Sequence, residues 1–373
     1  MSSYLDRDLG KVLCLAVFVS DHGFGHGTRI CAVIREIKKR TSCTFEIFSG
    51  LPEWFFKQNL GSDLSFNYHE IKSDVGLIQR GPFKHSIKAT IRSLDEFLEF
   101  DSTEIIDAQD IISKMNCNAV LADISPLGIH LAKKLSIPSI LVENFTWDWI
   151  YQPYSERHPE IRSIISFLSE IYESVDLLIQ ATPFCNKKKH GISIPPISRS
   201  LKIKPHLVRS KLNIPKESHM FLMTTGGITQ ELQIDSDCVE KMNCIFLQSS
   251  DQKEIKRIGN IIYLPTKSPH HYPDLVNASD VVVGKVGYGT LAECWATGTP
   301  LLGCYREDFR ESSTLKAYAE KNLISEEITI NAFEHMTWVE QAINISNRSD
   351  KGTHQLKING RSTAADLIVE FIN

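Results

Sequence analysis

Ala278-Ser-Asp-Val-Val-Val-Gly-Lys-Val-Gly-Tyr-Gly-Thr-Leu-Ala-Glu-Cys-Trp-Ala-Thr-Gly-Thr-Pro300 is the stretch from which the fold follows. An apolar strand, Val281–Val283, runs into a glycine-rich turn, a helix over 289–296 and a Gly-x-Pro stop. Gly287, Gly289 and Thr290 put N–H groups and a hydroxyl at a helix N-terminus, where unpaired amides and the helix dipole favour phosphate. Glu293 lies one turn further in, within reach of both hydroxyls of a ribose. Lys285 and Tyr288 fall inside the same strand–turn–helix unit and join the candidate site.

The same alternation extends in both directions. Val12–Ser20, Phe45–Phe48, Asn67–Ile71, Ala119–Ala122, Ser139–Val142 and Asp176–Gln180 read as strands, with helical patterns over 28–39, 84–115, 128–135 and 161–173. A proline-rich, basic stretch of little periodicity follows, and then Met220–Met223, Cys244–Gln248 and Ile261–Leu264 resume the strand pattern. Strands alternating with helices predict an α/β protein: two Rossmann-like doubly wound parallel-sheet domains, 1–182 and 216–373, joined by a linker over 183–215. The last helix, 364–372, is left open to return to the N-terminal domain. Ligands of such sheets sit beyond the carboxyl ends of the strands, so a central cleft is expected.

Bulk properties narrow the function. A chain of 373 residues with 42% apolar and 23% charged residues is an ordinary globular protein of about two domains. A net charge of −4 provides no global positive field for nucleic acid, and Lys187-Lys188-Lys189-His190 reads as a solvated loop. The nine scattered cysteines, without a CxxC pair, read as reduced thiols of a cytoplasmic protein. Nothing approaches the roughly 18 consecutive apolar residues of a transmembrane segment. Trp54, Phe55 and Phe56 leave a peripheral membrane contact open beside the alternative of a buried helix face.

Asp21-His-Gly-Phe-Gly-His-Gly-Thr-Arg29 follows the first strand and opens a helix. Its glycines permit positive φ and close approach of a ligand. The spacing departs from GxGxxG, and no acidic residue ends the next strand cleanly, which disfavours hydride transfer. His26 is the candidate general base, with Gly25 and Arg29 as ligand contacts. Asp123 ends a later strand, where a carboxylate fixes the tautomer of an imidazole and stabilises its charged form. The alternative is an aspartate capping the helix that follows. Asn144, Trp147 and Asp148 form an aromatic–polar cluster suited to a sugar or acceptor, with a buried aromatic core as the competing account. Thr225, Gly226 and Gly227 follow the first strand of the second half and form a candidate N–H nest for diphosphate.

"VFVSDHGFGHGTRI" resembles the opening of the GT-B-like N-terminal half of plant L-arabinokinases. "ADISP", "NFTWDWIY" and "GKVGYGTLAE" are similar to "SDVVP", "NFSWDFIY" and "GKIGYGTVSE" in that family. "GYGTLAE" also resembles the "GxxTxxE" donor loop of MurG-type glycosyltransferases. The resemblance implies the GT-B fold, with His26 as the base oriented by Asp123 and Gly287–Glu293 holding the donor. It further implies an acidic residue of Tyr305–Glu311, Glu307 or Asp308, on the donor sugar. The arabinokinase-like proteins carry a sugar-kinase domain as well. No GxxxxGK[ST] loop stands in this chain, and no kinase activity is implied.

The expected activity is transfer of a sugar from a nucleotide diphosphate sugar, UDP-linked by resemblance, to an acceptor hydroxyl. The acceptor is open between a glycan, a lipid carrier and a small molecule. No cofactor or metal is expected, since helix N-termini supply the charge stabilisation. Two alternatives keep the cleft: a nucleotide-sugar hydrolase or epimerase, and a non-catalytic nucleotide-sugar-binding protein.

Overall fold

The computed structural model describes residues 12–79, 84–226, 243–348 and 359–373. Two seven-stranded sheets form, one in each half. The first holds β1 (Leu13–Val19), β2 (Cys43–Ser49), β3 (Asn67–Glu70), β4 (Ala119–Asp123), β5 (Ser139–Glu143), β6 (Leu177–Ala181) and β7 (Ile192–Ile194), in the order 3-2-1-4-5-6-7. Every pairing in it is parallel. The second holds β8 (His219–Thr224), β9 (Cys244–Ser250), β10 (Lys256–Ile258), β11 (Ile261–Pro265), β12 (Val281–Lys285), β13 (Leu301–Cys304) and β14 (Ser325–Glu327). Its order is 10-11-9-8-12-13-14, and only β10 is antiparallel.

Central strands buried on both faces carry uninterrupted apolar runs. In β1, Cys14, Ala16 and Phe18 face one core while Leu13, Leu15, Val17 and Val19 face the other. The second sheet divides in the same way, with Met220 and Leu222 on one side and Phe221 and Met223 on the other. Each half is therefore a helix–sheet–helix sandwich.

Several local expectations shift. The helix after β1 begins at Phe24, not near Thr28, so Gly25, His26 and Gly27 occupy its first turn. Gly23 makes this possible, with φ of 95° at the cap. The stretch 183–215, expected as a linker, carries β7 of the first sheet and a helix, Pro205–Lys211, whose Val208 packs in the second half. The terminal helix Gly360–Ile372 lies on the first half, with Ala364, Ala365 and Ile368 in the same core as Ile34 and Ile37. Its start is tied to the crossing segment: Asn359 Nδ2 donates to Ser198 Oγ, and Arg361 Nη1 donates to Ser198 O at 2.8 Å. No helix among the described residues is long and apolar enough to cross a membrane.

Because Ile368 is fully buried against the first half, Ile368→Ala should cost about 2–4 kcal/mol. Urea unfolding monitored by tryptophan fluorescence checks this. An unchanged midpoint would mean that the terminal helix adds nothing to that core.

Candidate functional site

The carboxyl ends of both sheets face one cavity of about 720 Å³. Parallel register aligns the first set of side chains. Val19 pairs with Asp123 across β1 and β4, and Asp123 pairs with Val142 across β4 and β5, so Asn144 projects two residues beyond. The helix Phe24–Arg40 then lays His26 and Arg29, three residues apart on one face, over the end of β4.

His26 Nδ1 lies 2.9 Å from Asp123 Oδ1. Arg29 grips the same carboxylate at both oxygens, Nε to Oδ2 at 2.8 Å and Nη2 to Oδ1 at 2.7 Å. Its remaining Nη1 donates to Asn144 Oδ1, and Asn144 Nδ2 donates to Glu311 Oε1 at 2.7 Å. Burial alone would raise the Asp123 pKa. The charge and hydrogen bonds of Arg29, with the His26 bond, outweigh it and hold the carboxyl below its ordinary value. Ser125, not Asp123, caps the following helix, its Oγ accepting from Gly128 N. Arg29, expected as a ligand contact, has its guanidinium on the dyad and on the ring of Tyr288, 4.9 Å away.

The second half brings its own set. Thr225 and Gly226 follow β8 and line the cavity, Gly226 with φ of 73°, while Gly227 lies outside the described residues. Lys285 ends β12, and Gly287 caps the helix Tyr288–Thr297. Gly287, Tyr288, Gly289, Thr290 and Glu293 all line the cavity. A Cβ built on Gly289 would stand 3.5 Å from Gly25 Cα, so the first turns of the two helices meet, glycine to glycine, across the cleft. Lys285 is 94% buried and makes no hydrogen bond or ion pair among the described residues. Burial, with Arg306 nearby and only Glu311 opposing, pushes its pKa down to about 7. Glu293 accepts from Arg199 Nε at 2.8 Å, and Arg199 Nη1 reaches Asn59 Oδ1 of the first half at 2.7 Å.

Four expectations fail to meet the cavity. Asn144 is fully buried between Arg29 and Glu311, outside the cavity lining. Trp147 packs in the core of the first half, its Nε1 donating to Asp74 Oδ2 at 2.7 Å. Asp148 is buried beside it in the helical turn Trp147–Tyr151, outside the cavity lining. Glu307 and Asp308 are exposed; Asp308 pairs with His85 at 3.2 Å. The turn after β13 instead directs Arg306 and Glu311 inward. Glu311 opens the helix Glu311–Asn322, and its position at a helix start beyond a strand was the available signal. Arg199 lay in the presumed linker and carried none.

No family model matches the chain. It is 25% identical over 371 residues to L-arabinokinase of Arabidopsis thaliana, covering 96% of this chain but 34% of that protein. The chain thus spans about a third of the length of that relative. Among solved structures, a UDP-glucosyltransferase from Polygonum tinctorium capable of glucosylating indoxyl is similar at a TM-score of 0.64 and 12% identity, covering 97% of this chain and 99% of that one. UGT89C1 of Arabidopsis thaliana complexed with UDP gives a TM-score of 0.61 at 14% identity, covering 96% and 99%. MurG of Acinetobacter baumannii gives 0.52 at 10% identity, covering 96% and 99%. Two facing, parallel-dominated sheets of seven strands, matched over nearly their whole length by these enzymes, give the chain the GT-B glycosyltransferase fold.

Proposed function

We propose that this chain is a glycosyltransferase that moves a sugar from a nucleotide diphosphate sugar, most simply a UDP-sugar, to an acceptor hydroxyl. One observation supports it above others: His26, held from behind by buried Asp123, and the glycine-capped N-terminus of Tyr288–Thr297 line the same cavity. With Nδ1 bound to Asp123, His26 Nε2 is free to take the acceptor proton. The acceptor oxygen attacks the anomeric carbon, and the bond to the diphosphate breaks. Negative charge on the leaving group is met by the helix amides and Lys285, with no metal required. Solved neighbours are complexed with UDP, UDP-2-fluoro-glucose or UDP-L-rhamnose, which is why uridine is the first nucleotide to try.

His26→Ala should leave UDP-sugar binding intact, seen as an unchanged ligand-induced rise in melting temperature, and slow transfer by about 10²–10⁴-fold. Free sugar released by the wild type without acceptor would make water the nucleophile. Binding with no turnover, unaffected by the variant, would sink the catalytic role. Asp123→Asn is a poorer kinetic probe: it leaves Arg29 buried without its counter-charge, and denaturant melts should show a loss of about 3–5 kcal/mol.

Lys285 gives a pH signature. With a pKa near 7, its charge is present below pH 7 and absent above it. Above pH 7 a diphosphate must draw in a proton on binding, so the UDP dissociation constant should rise by up to about tenfold per pH unit. Calorimetry in buffers of different ionisation heat measures that uptake, and Lys285→Met should remove it. Wild-type affinity that is flat from about pH 6.5 to 8.5 would mean that Lys285 does not meet the diphosphate.

A further inference from the structure

The strand order of the second sheet fixes the order of subsites along the cleft. From β11 through β9, β8 and β12 to β13, the carboxyl ends present Leu264–Thr266, Ser249, Thr224–Gly226, Lys285–Thr290 and then the turn Tyr305–Glu311. Neighbouring strands lie about 4.8 Å apart. A nucleotide sugar laid across these ends, with its diphosphate at Lys285 and the helix N-terminus and its ribose at Glu293, has its base toward β11. Its sugar then lies over β13, beside His26.

The β13 turn offers that sugar two charges. Glu311 is committed through Oε1 to Asn144. Arg306 is not committed: its guanidinium lies 3.8 Å from the centre of the Phe309 ring and makes no hydrogen bond or ion pair among the described residues. A ring face holds the guanidinium plane in place but leaves its edge of N–H donors unused. Glu311 and Asp308 lie within electrostatic range and favour its charge, but neither forms an ion pair with it; Asp308 is paired with His85, and Lys285 lies nearby on the other side of the balance. Burial lowers the Arg306 pKa, so its charge is held at a cost that an arriving anion offsets. The diphosphate already has Lys285 and the helix amides one strand away. A neutral hexose would bring only hydroxyls to Arg306, whereas a carboxylate matches its planar fork with two charge-assisted bonds.

Resting on the donor site described above, we propose that the transferred sugar carries a carboxylate, as a hexuronic acid does, and that Arg306 is the residue that selects it. Calorimetric titration of the full chain with UDP, UDP-glucose, UDP-galactose, UDP-glucuronic acid and UDP-galacturonic acid tests this. At least one uronic acid should bind about tenfold tighter or better than its neutral counterpart. Arg306→Gln should erase that difference and leave UDP affinity within about threefold of wild type. Arg306→Lys, which keeps the charge without the fork, should fall between and serves if the glutamine variant does not fold. Equal binding of acidic and neutral partners by the wild type overturns the proposal whatever the variants do. A loss in Arg306→Gln as large for UDP alone as for the uronic acid also overturns it, making Arg306 a diphosphate contact. Failure of UDP itself to bind is a different result: it removes the donor site, and the inference falls with it.

Discussion

The rest of the candidate site depends on one buried carboxylate. Asp123 has no exposure to solvent and stays ionised because Arg29 contributes a charge and two hydrogen bonds to it. That clasp sets the geometry of His26. Nδ1 lies 2.9 Å from Asp123 Oδ1, an acceptor only, and farther, 3.2 Å, from Arg29 Nη2; an Nδ1 lone pair would face the carboxylate, so the closer contact favours the proton on Nδ1 and the lone pair on Nε2. Sharing with Arg29 also changes what Asp123 supplies. It orients the imidazole, but much of its charge is already compensated, so it offers less to a histidine that has gained a proton than a lone carboxylate would. Glu311 and Asp21 are the further acids within electrostatic range of His26, and both line the cavity. Orientation and charge compensation are thus divided between different carboxylates.

A second constraint is the meeting of Phe24–Arg40 and Tyr288–Thr297 at their N-terminal turns. Helix N-termini carry partial positive charge, and two brought together repel unless something negative lies near them. They meet at Gly25 and Gly289. Lys285 adds a titrating ammonium to the same cavity, without a hydrogen bond or ion pair among the described residues, and burial lowers its pKa to about 7. Two helix N-termini and the Lys285 side chain converging on one cavity suit a dianionic linker.

Much of this was legible in the sequence because central strands and glycine turns leave strong local patterns. Val281–Val283 and the turn beyond it announced a strand, a cap and a helix, and parallel pairing brought His26 to Asp123 once both strands were identified. What the sequence concealed were side-chain directions within short irregular segments. In Tyr305–Glu311 five charged residues lie within six positions, and nothing local tells which of them face inward. Tertiary packing decides: Phe309 buries itself, carrying Arg306 and Glu311 into the cavity and leaving Glu307 and Asp308 outside. Trp147 misled for a related reason. An indole with an acidic neighbour suits a sugar, but the helical turn after β5 points it at Asp74 and the core. Arg199 was hidden because a stretch rich in proline and lysine reads as linker, whereas its contacts with Glu293 and Asn59 bind the two halves together.

The turn Tyr305–Glu311 also ties the halves together. Phe309 is carried by the second half yet lies in the hydrophobic core of the first, against Phe145 and His22. Arg310 stacks 3.9 Å over Trp149 and donates to its carbonyl, and Tyr154 donates to the Asp308 carbonyl. Glu311 completes the chain of hydrogen bonds through Asn144 and Arg29 to Asp123 and His26. Any separation of the halves that withdrew Phe309 would also break the Glu311–Asn144 bond, freeing the Asn144 amide that helps hold Arg29. The arrangement of the dyad in the first half is therefore mechanically tied to the seating of a loop from the second. In the proposed enzyme, a sugar bound over β13 would touch that loop directly, so donor binding and orientation of the base would be properties of one packed interface.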